Sequence, residues 1–169
     1  MKKPLALLRA LGVGALLLFL LMVAILQWKI APYVAFLPQA TLGAYTDSAL
    51  VELGDELRTK GLDRLYKAVL LSIDFLFITI FGLWVMLVHM MRSAVSWRFW
   101  GVAIAALFMV LDFGEDMMLA IRMGLATKGN LDPATLTAEV SAVHWVTLAK
   151  YAIFALCLMS AFIASRKRG

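Results

Sequence analysis

Five ionisable side chains, Asp74, Asp112, Glu115, Asp116 and Lys150, stand inside long apolar stretches of this 169-residue chain, with His144 and Thr147 close to the last of them. Asp112, Glu115 and Asp116 follow the i, i+3, i+4 pattern that puts three side chains on one face of a helix. Thr147 and Lys150, at i and i+3, share a second face, from which His144 is partly turned away. Carboxylates grouped in this way can act as acid and base, hold a cation or relay protons, and a lysine beside them can bind an anionic group such as phosphate.

A charged side chain at the centre of a bilayer costs at least about 2.5 to 3.5 kcal/mol, so such residues must pair, protonate or meet water. With all of them ionised, four acids against one lysine leave a net charge of minus three. One or two of the carboxylates are therefore expected to be protonated, or the site to recruit a cation. Arg122, about two turns above Glu115, is expected to lean in as a second positive charge.

The elements that must carry these groups can be read from composition. At 63% hydrophobic and 16% charged residues, with a mean hydropathy of +0.90, the chain belongs in a bilayer. Four stretches, 5–27, 68–91, 99–121 and 141–164, reach the roughly 20 residues that about 30 Å of hydrocarbon requires. The expected fold is all-α, a single transmembrane domain over 1–169 built as a four-helix bundle. The first stretch comes after Lys2, Lys3 and Arg9 as in a signal peptide, but its apolar run is too long and lacks a small-residue cleavage site, so a retained helix is expected. Counting each span from its outer end at about 1.5 Å per residue puts Asp112 and Lys150 roughly 14 Å deep and Asp74 and Glu115 roughly 9 Å deep.

Lys2, Lys3, Arg9, Arg92, Arg98, Arg166, Lys167 and Arg168 would share one side with no acid among them. The positive-inside bias makes that side cytoplasmic, with both termini there, and the expected location is a cell inner (plasma) membrane. Trp28 and Trp145 on one side and Trp97 and Trp100 on the other suit aromatic belts. In the outer loop, 28–67, Thr46 and Asp47 can cap a short amphipathic helix whose stripe is Leu50, Leu53 and Leu57, with Gly61 at its end. That helix could lie on lipid headgroups, close over the polar site or face a partner protein. The second outer loop, with Lys128, Gly129, Asn130, Asp132 and Pro133, reads as a turn. Small-residue pairs at Ala10/Gly14 and Gly101/Ala105 would allow close helix approach.

Several chemistries lack support. The net charge of +5 sits at span ends, so no nucleic-acid partner is expected. One cysteine, Cys157, permits no internal disulfide or cysteine cluster. Asp112 and Asp116 imitate a prenyl-diphosphate motif without the second motif it needs. A carboxylate metal centre of Asp112, Glu115, Asp116 and His144 is conceivable but not assigned, and no cofactor is assigned. His89 and His144 lie too far apart for shared haem, no outer-half serine has a base beside it, and Met109, Met117, Met118 and Met123 read as packing.

The segments "LSIDFLF", "LDFGEDMM" and "TLAKYAIF", together with "LDRLY", resemble a pattern in small four-span bacterial integral membrane proteins with intramembrane Asp, Asp-x-x-Glu and Lys. The pattern commonly continues with Asn where this chain has Asp116. The resemblance implies a shared polar core in the last three spans and no particular chemistry. Three readings stay open. The cluster is a site for a cation, a lipid headgroup or an amphiphile, or a structural network in a membrane complex, or part of a proton or cation pathway. The partners to expect are the bilayer, a lipid or cationic ligand, and other membrane proteins through the outer loop.

Overall fold

The computed structural model describes residues 2–124 and 139–166. Its helices are α1 (Lys2–Ile25), α2 (Asp47–Thr59), α3 (Asp63–Ala68), α4 (Phe75–Arg92), α5 (Val95–Arg122) and α6 (Ala142–Arg166). A π-helical turn, Val69–Asp74, joins α3 to α4, so these form one continuous rod and the described residues make five helices. Three of the rods, Pro4–Tyr33, Asp63–Arg92 and Ala142–Arg166, are long and apolar enough to cross a membrane. The fold is all-α and the chain is a multi-helix membrane protein. The segment expected to form the second outer loop, including Lys128 and Asp132, and the terminal Lys167 and Arg168 lie outside the described residues.

The rods are held by close approach. A Cβ on Gly101 of α5 would collide with the His89 ring of α4, and one on Gly82 of α4 would collide with Met109. Ala105, a turn beyond Gly101, is fully buried, so this small pair does lie at a helix contact. The α1 pair does not serve as expected. Ala10 is exposed, and the tight contact is made by Gly12, whose missing side chain leaves room for the Trp84 indole. Below the polar residues, Phe77, Phe81 and Phe108 fill the centre of the bundle together with Phe154. Phe81 and Phe154 stand 5.0 Å apart, centroid to centroid.

At the opposite end from the α4–α5 turn, α2 packs on protein. Thr46 caps it by accepting a hydrogen bond from Ala49 N at 3.3 Å, and Gly61 closes its far end at φ +69°, a backbone conformation that suits glycine. Leu50, Leu53 and Leu57 are buried with Leu119, Met123 and Val143, so the apolar stripe faces the bundle and not the headgroups. Gly54 lies so close that a Cβ there would strike the Met123 backbone. Ser141 N donates to Tyr45 O at 2.8 Å, and an isolated antiparallel bridge pairs Thr46 with Val140. These tie the start of α2 to the start of α6.

Candidate functional site

The acidic stripe of α5 turns inward. Asp112, Glu115 and Asp116 are 2%, 0% and 1% exposed, and Asp74 and Lys150 are 3% and 6%. Lys150 Nζ reaches across from α6 to Asp112 Oδ1 at 2.6 Å and also contacts Glu115 Oε2. One turn before the lysine, the Thr147 hydroxyl donates to Glu115 Oε1. Tyr45 then adds its phenol to Thr147 at 3.1 Å. Burial pushes the Tyr45 phenol up to about 12, and with the Thr147 proton given to Glu115 the phenol is the donor to Thr147. Glu115 therefore meets a hydroxyl at one oxygen and an ammonium at the other, the second contact being an ion pair and not a directed hydrogen bond.

Asp74 joins the other side of the stripe. Single carboxylate oxygens of Asp74, Asp112 and Asp116 all lie within 4.8 Å of one another. The helix that carries Asp74 begins at Asp63, well before the apolar stretch, and brings Asp74 to face Asp112 and Asp116 of α5. The π turn ending at Asp74 contains an extra residue per turn and so rotates α4 by roughly 100° from the α-helical register of α3. Both oxygens of Asp116 lack a hydrogen-bond partner among the described residues.

Two of the expected site residues go elsewhere. Arg122 does not lean toward Glu115 but reaches Asp47 Oδ2 at 3.2 Å, because α2 presents a carboxylate at the top of α5. His144 is buried with its ring edge-on to Tyr45, 5.2 Å between centroids, and lies outside the three-aspartate group. Sequence reasoning missed Tyr45, Asp47 and Ser141, whose hydroxyl donates to Asp47 Oδ1. It also missed Gln39, which accepts at its side chain from Tyr66 at 2.7 Å and at its carbonyl from Tyr151. A tyrosine in each of two neighbouring helices was the only signal available.

Beside the cluster lies a cavity of about 400 Å³ flanked by α1 and α6, with Asp74, Asp112 and Lys150 among its polar lining and Met22, Phe77 and Phe154 among its apolar lining. Gln39, Ala40 and Leu42 of the loop before α2 also line it. At the far end of the bundle His89 hydrogen-bonds Ser93 at 2.9 Å and Ser160 at 3.1 Å. The phenylalanine layer lies between that group and the acids. No family model, curated protein or solved structure matches this chain. It is a membrane protein with three membrane-length apolar helices and a buried Asp/Glu/Lys cluster, and no family is identified for it.

Proposed function

We propose that the chain crosses the membrane four times, as one domain with both termini cytoplasmic, and binds an amphiphile from the outer leaflet. The fourth crossing is α5, whose 28 residues extend about 42 Å. Its three carboxylates are buried against neighbouring helices and its arginines stand near its two ends, while Leu107, Val110, Phe113 and Ile121 are exposed. A helix with this division of faces is compatible with lipid although its composition is not uniformly apolar. Exposed Trp97 and Trp100 at one end and Trp28 and Trp145 at the ends of α1 and α6 support the same arrangement.

The observation that carries the binding reading is the cavity flanked by α1 and α6, lined mostly by apolar residues together with Asp74, Asp112 and Lys150. Its volume of about 400 Å³ falls in the range of small-molecule sites, which are typically apolar clefts with a few polar groups that fix orientation. An alkyl chain would lie along Met22, Phe77 and Phe154. A headgroup bearing hydroxyl or amine donors would meet the two aspartates, and the Lys150 ammonium would meet a phosphate or hydroxyl oxygen.

A structural role for part of the network is favoured by Glu115, which is fully engaged by Lys150 and Thr147 and so fixes α5 against α6. Transport is disfavoured by the phenylalanine layer between the acids and His89, which offers a proton no relay. The test is native mass spectrometry of gently purified protein. The wild type is expected to carry an amphiphile that is lost in Met22→Trp, which fills the cavity, and in Lys150→Met. A wild type without adduct, or adducts identical in all three proteins, would refute the binding reading.

A further inference from the structure

We propose that Asp74, Asp112 and Asp116 hold one hard divalent cation, Mg²⁺ or Mn²⁺, beside the cavity. This goes beyond the amphiphile reading and does not rest on it. Three aspartates from two helices converge with one oxygen each inside 4.8 Å. Oxygens bound to a common Mg²⁺ at about 2.1 Å are at most about 4.2 Å apart, so side-chain shifts of a few tenths of an ångström bring the group onto a single ion. The donors are all carboxylate oxygens, which select Mg²⁺, Mn²⁺ or Ca²⁺ over the softer transition metals.

An acidic cluster alone would not point to a ligand, and Asp116 supplies the second observation. It is 1% exposed, its carboxylate oxygen points into the group, and neither of its oxygens has a hydrogen-bond partner among the described residues. Leaving a carboxylate in that state is costly unless it is neutralised. Lysine cannot do so. Among the described residues Lys150 is the only cation paired with these acids, and it is committed to Asp112 Oδ1 and Glu115. Arg122 is held by Asp47. Lys150 offsets one of four negative charges, and a dication would reduce the remaining three to one.

The chain's own geometry explains why three ligands suffice. Asp112 and Asp116 are one turn apart on α5 and form one edge of the site, and Asp74 closes it from the end of the π turn. Mg²⁺ and Mn²⁺ keep several water ligands when bound by a few carboxylates. Asp74 and Asp112 also line the cavity, which gives those waters, or a phosphate or hydroxyl oxygen, a side from which to approach.

The experiment uses full-length protein in detergent, stripped of lipid and treated with EDTA, titrated with Mn²⁺ and read by electron paramagnetic resonance. Expected are one Mn²⁺ per chain, displacement by Mg²⁺, and a rise in thermal midpoint on adding either ion. Asp116→Asn and, separately, Asp74→Asn should weaken binding by at least about tenfold, the scale on which even outer-shell partners of metal ligands act. Gly114→Ala, whose added methyl group meets nothing within 4 Å, should bind as the wild type does. Absence of binding at millimolar Mn²⁺, or equal binding by a folded Asp116→Asn protein, would overturn the proposal and leave shared protons as the means of neutralising the cluster. Because lipid has been removed, failure here is separate from failure of the amphiphile reading.

Discussion

Lys150 on α6 and Asp112 on α5 form a buried ion pair of 2.6 Å whose lysine is shared with Glu115. Sharing matters because the ammonium bridges two carboxylates one turn apart, and so fixes both the rotation of α5 and its height against α6. Thr147, itself bonded by Tyr45, then donates to Glu115, so this half of the cluster is closed. Asp74 and Asp116 remain on the open half. Asp112 and Lys150 belong to both halves, since they pair with each other and also line the cavity, whereas Glu115 and Thr147 are expected to govern stability and Asp74 and Asp116 binding.

Removing the shared lysine tests the closed half. Lys150→Met is expected to lower stability by about 3 to 5 kcal/mol, because it leaves two buried carboxylates without their counter-ion. Adding Glu115→Gln removes one of those charges, so the double variant should regain part of the loss. Thermal unfolding in detergent measures both. Strictly additive losses would mean that the two residues do not act as a pair.

Attachment of α2 depends on Asp47 more than on Arg122. Arg122 is about one-third exposed in its side chain, and Asp47 is 7% exposed, so the ion pair itself contributes at most about 1 kcal/mol. Asp47 also accepts from the buried Ser141 hydroxyl, and losing a buried acceptor costs about 1 to 3 kcal/mol. Asp47→Ala should therefore speed hydrogen exchange along Asp47–Thr59 much more than Arg122→Gln. Equal effects would assign the attachment to the ion pair.

How much of the fold and the site was legible in the sequence depended on whether the signal was local. The stripe of Asp112, Glu115 and Asp116 is a matter of helical period, and these residues do share the inward face. Thr46 and Gly61 announced the ends of α2 by side-chain chemistry and backbone freedom. The start of the second rod is hidden because Asp63, Arg64 and Lys67 look like loop residues, although they form its first turns. The π turn cannot be seen in hydrophobic periodicity, since one extra residue only shifts the phase. Arg122 was assigned to Glu115 because they share a helix. Its real partner, Asp47, is brought near by the docking of α2, and the same docking creates the Tyr45 and Ser141 contacts. Such contacts are tertiary and leave no trace in spacing.

Glycines separate helix contact from helix propensity. Gly101→Ala forces a methyl group into the His89 ring, and overpacking of this kind typically costs about 1 to 3 kcal/mol. Gly114, on the same helix, has nothing within 4 Å of the added methyl. Gly114→Ala should be neutral or stabilising by up to about 1 kcal/mol, since alanine is the better helix former. Thermal midpoints of the two single variants decide this, and equal midpoints would show that the α4–α5 contact is looser than described.

The fourth crossing can be tested without any ligand. Leu42 is 73% exposed and Val95, at the start of α5, is 78% exposed, while the native Cys157 is fully buried and should resist a membrane-impermeant maleimide. If α5 spans the bilayer, Leu42→Cys is labelled in right-side-out vesicles and Val95→Cys only in inside-out vesicles, with Glu139→Cys behaving like Leu42→Cys. The loop that joins α5 to α6 would then lie on the side of α2, as the bridge between Thr46 and Val140 requires. Labelling of Val95→Cys and Leu42→Cys from the same side would remove one crossing and, with it, the reading of the acids as intramembrane groups. The burial of the three α5 carboxylates against neighbouring helices would then reflect helix packing alone, and the insertion cost that makes their excess over base informative would no longer apply.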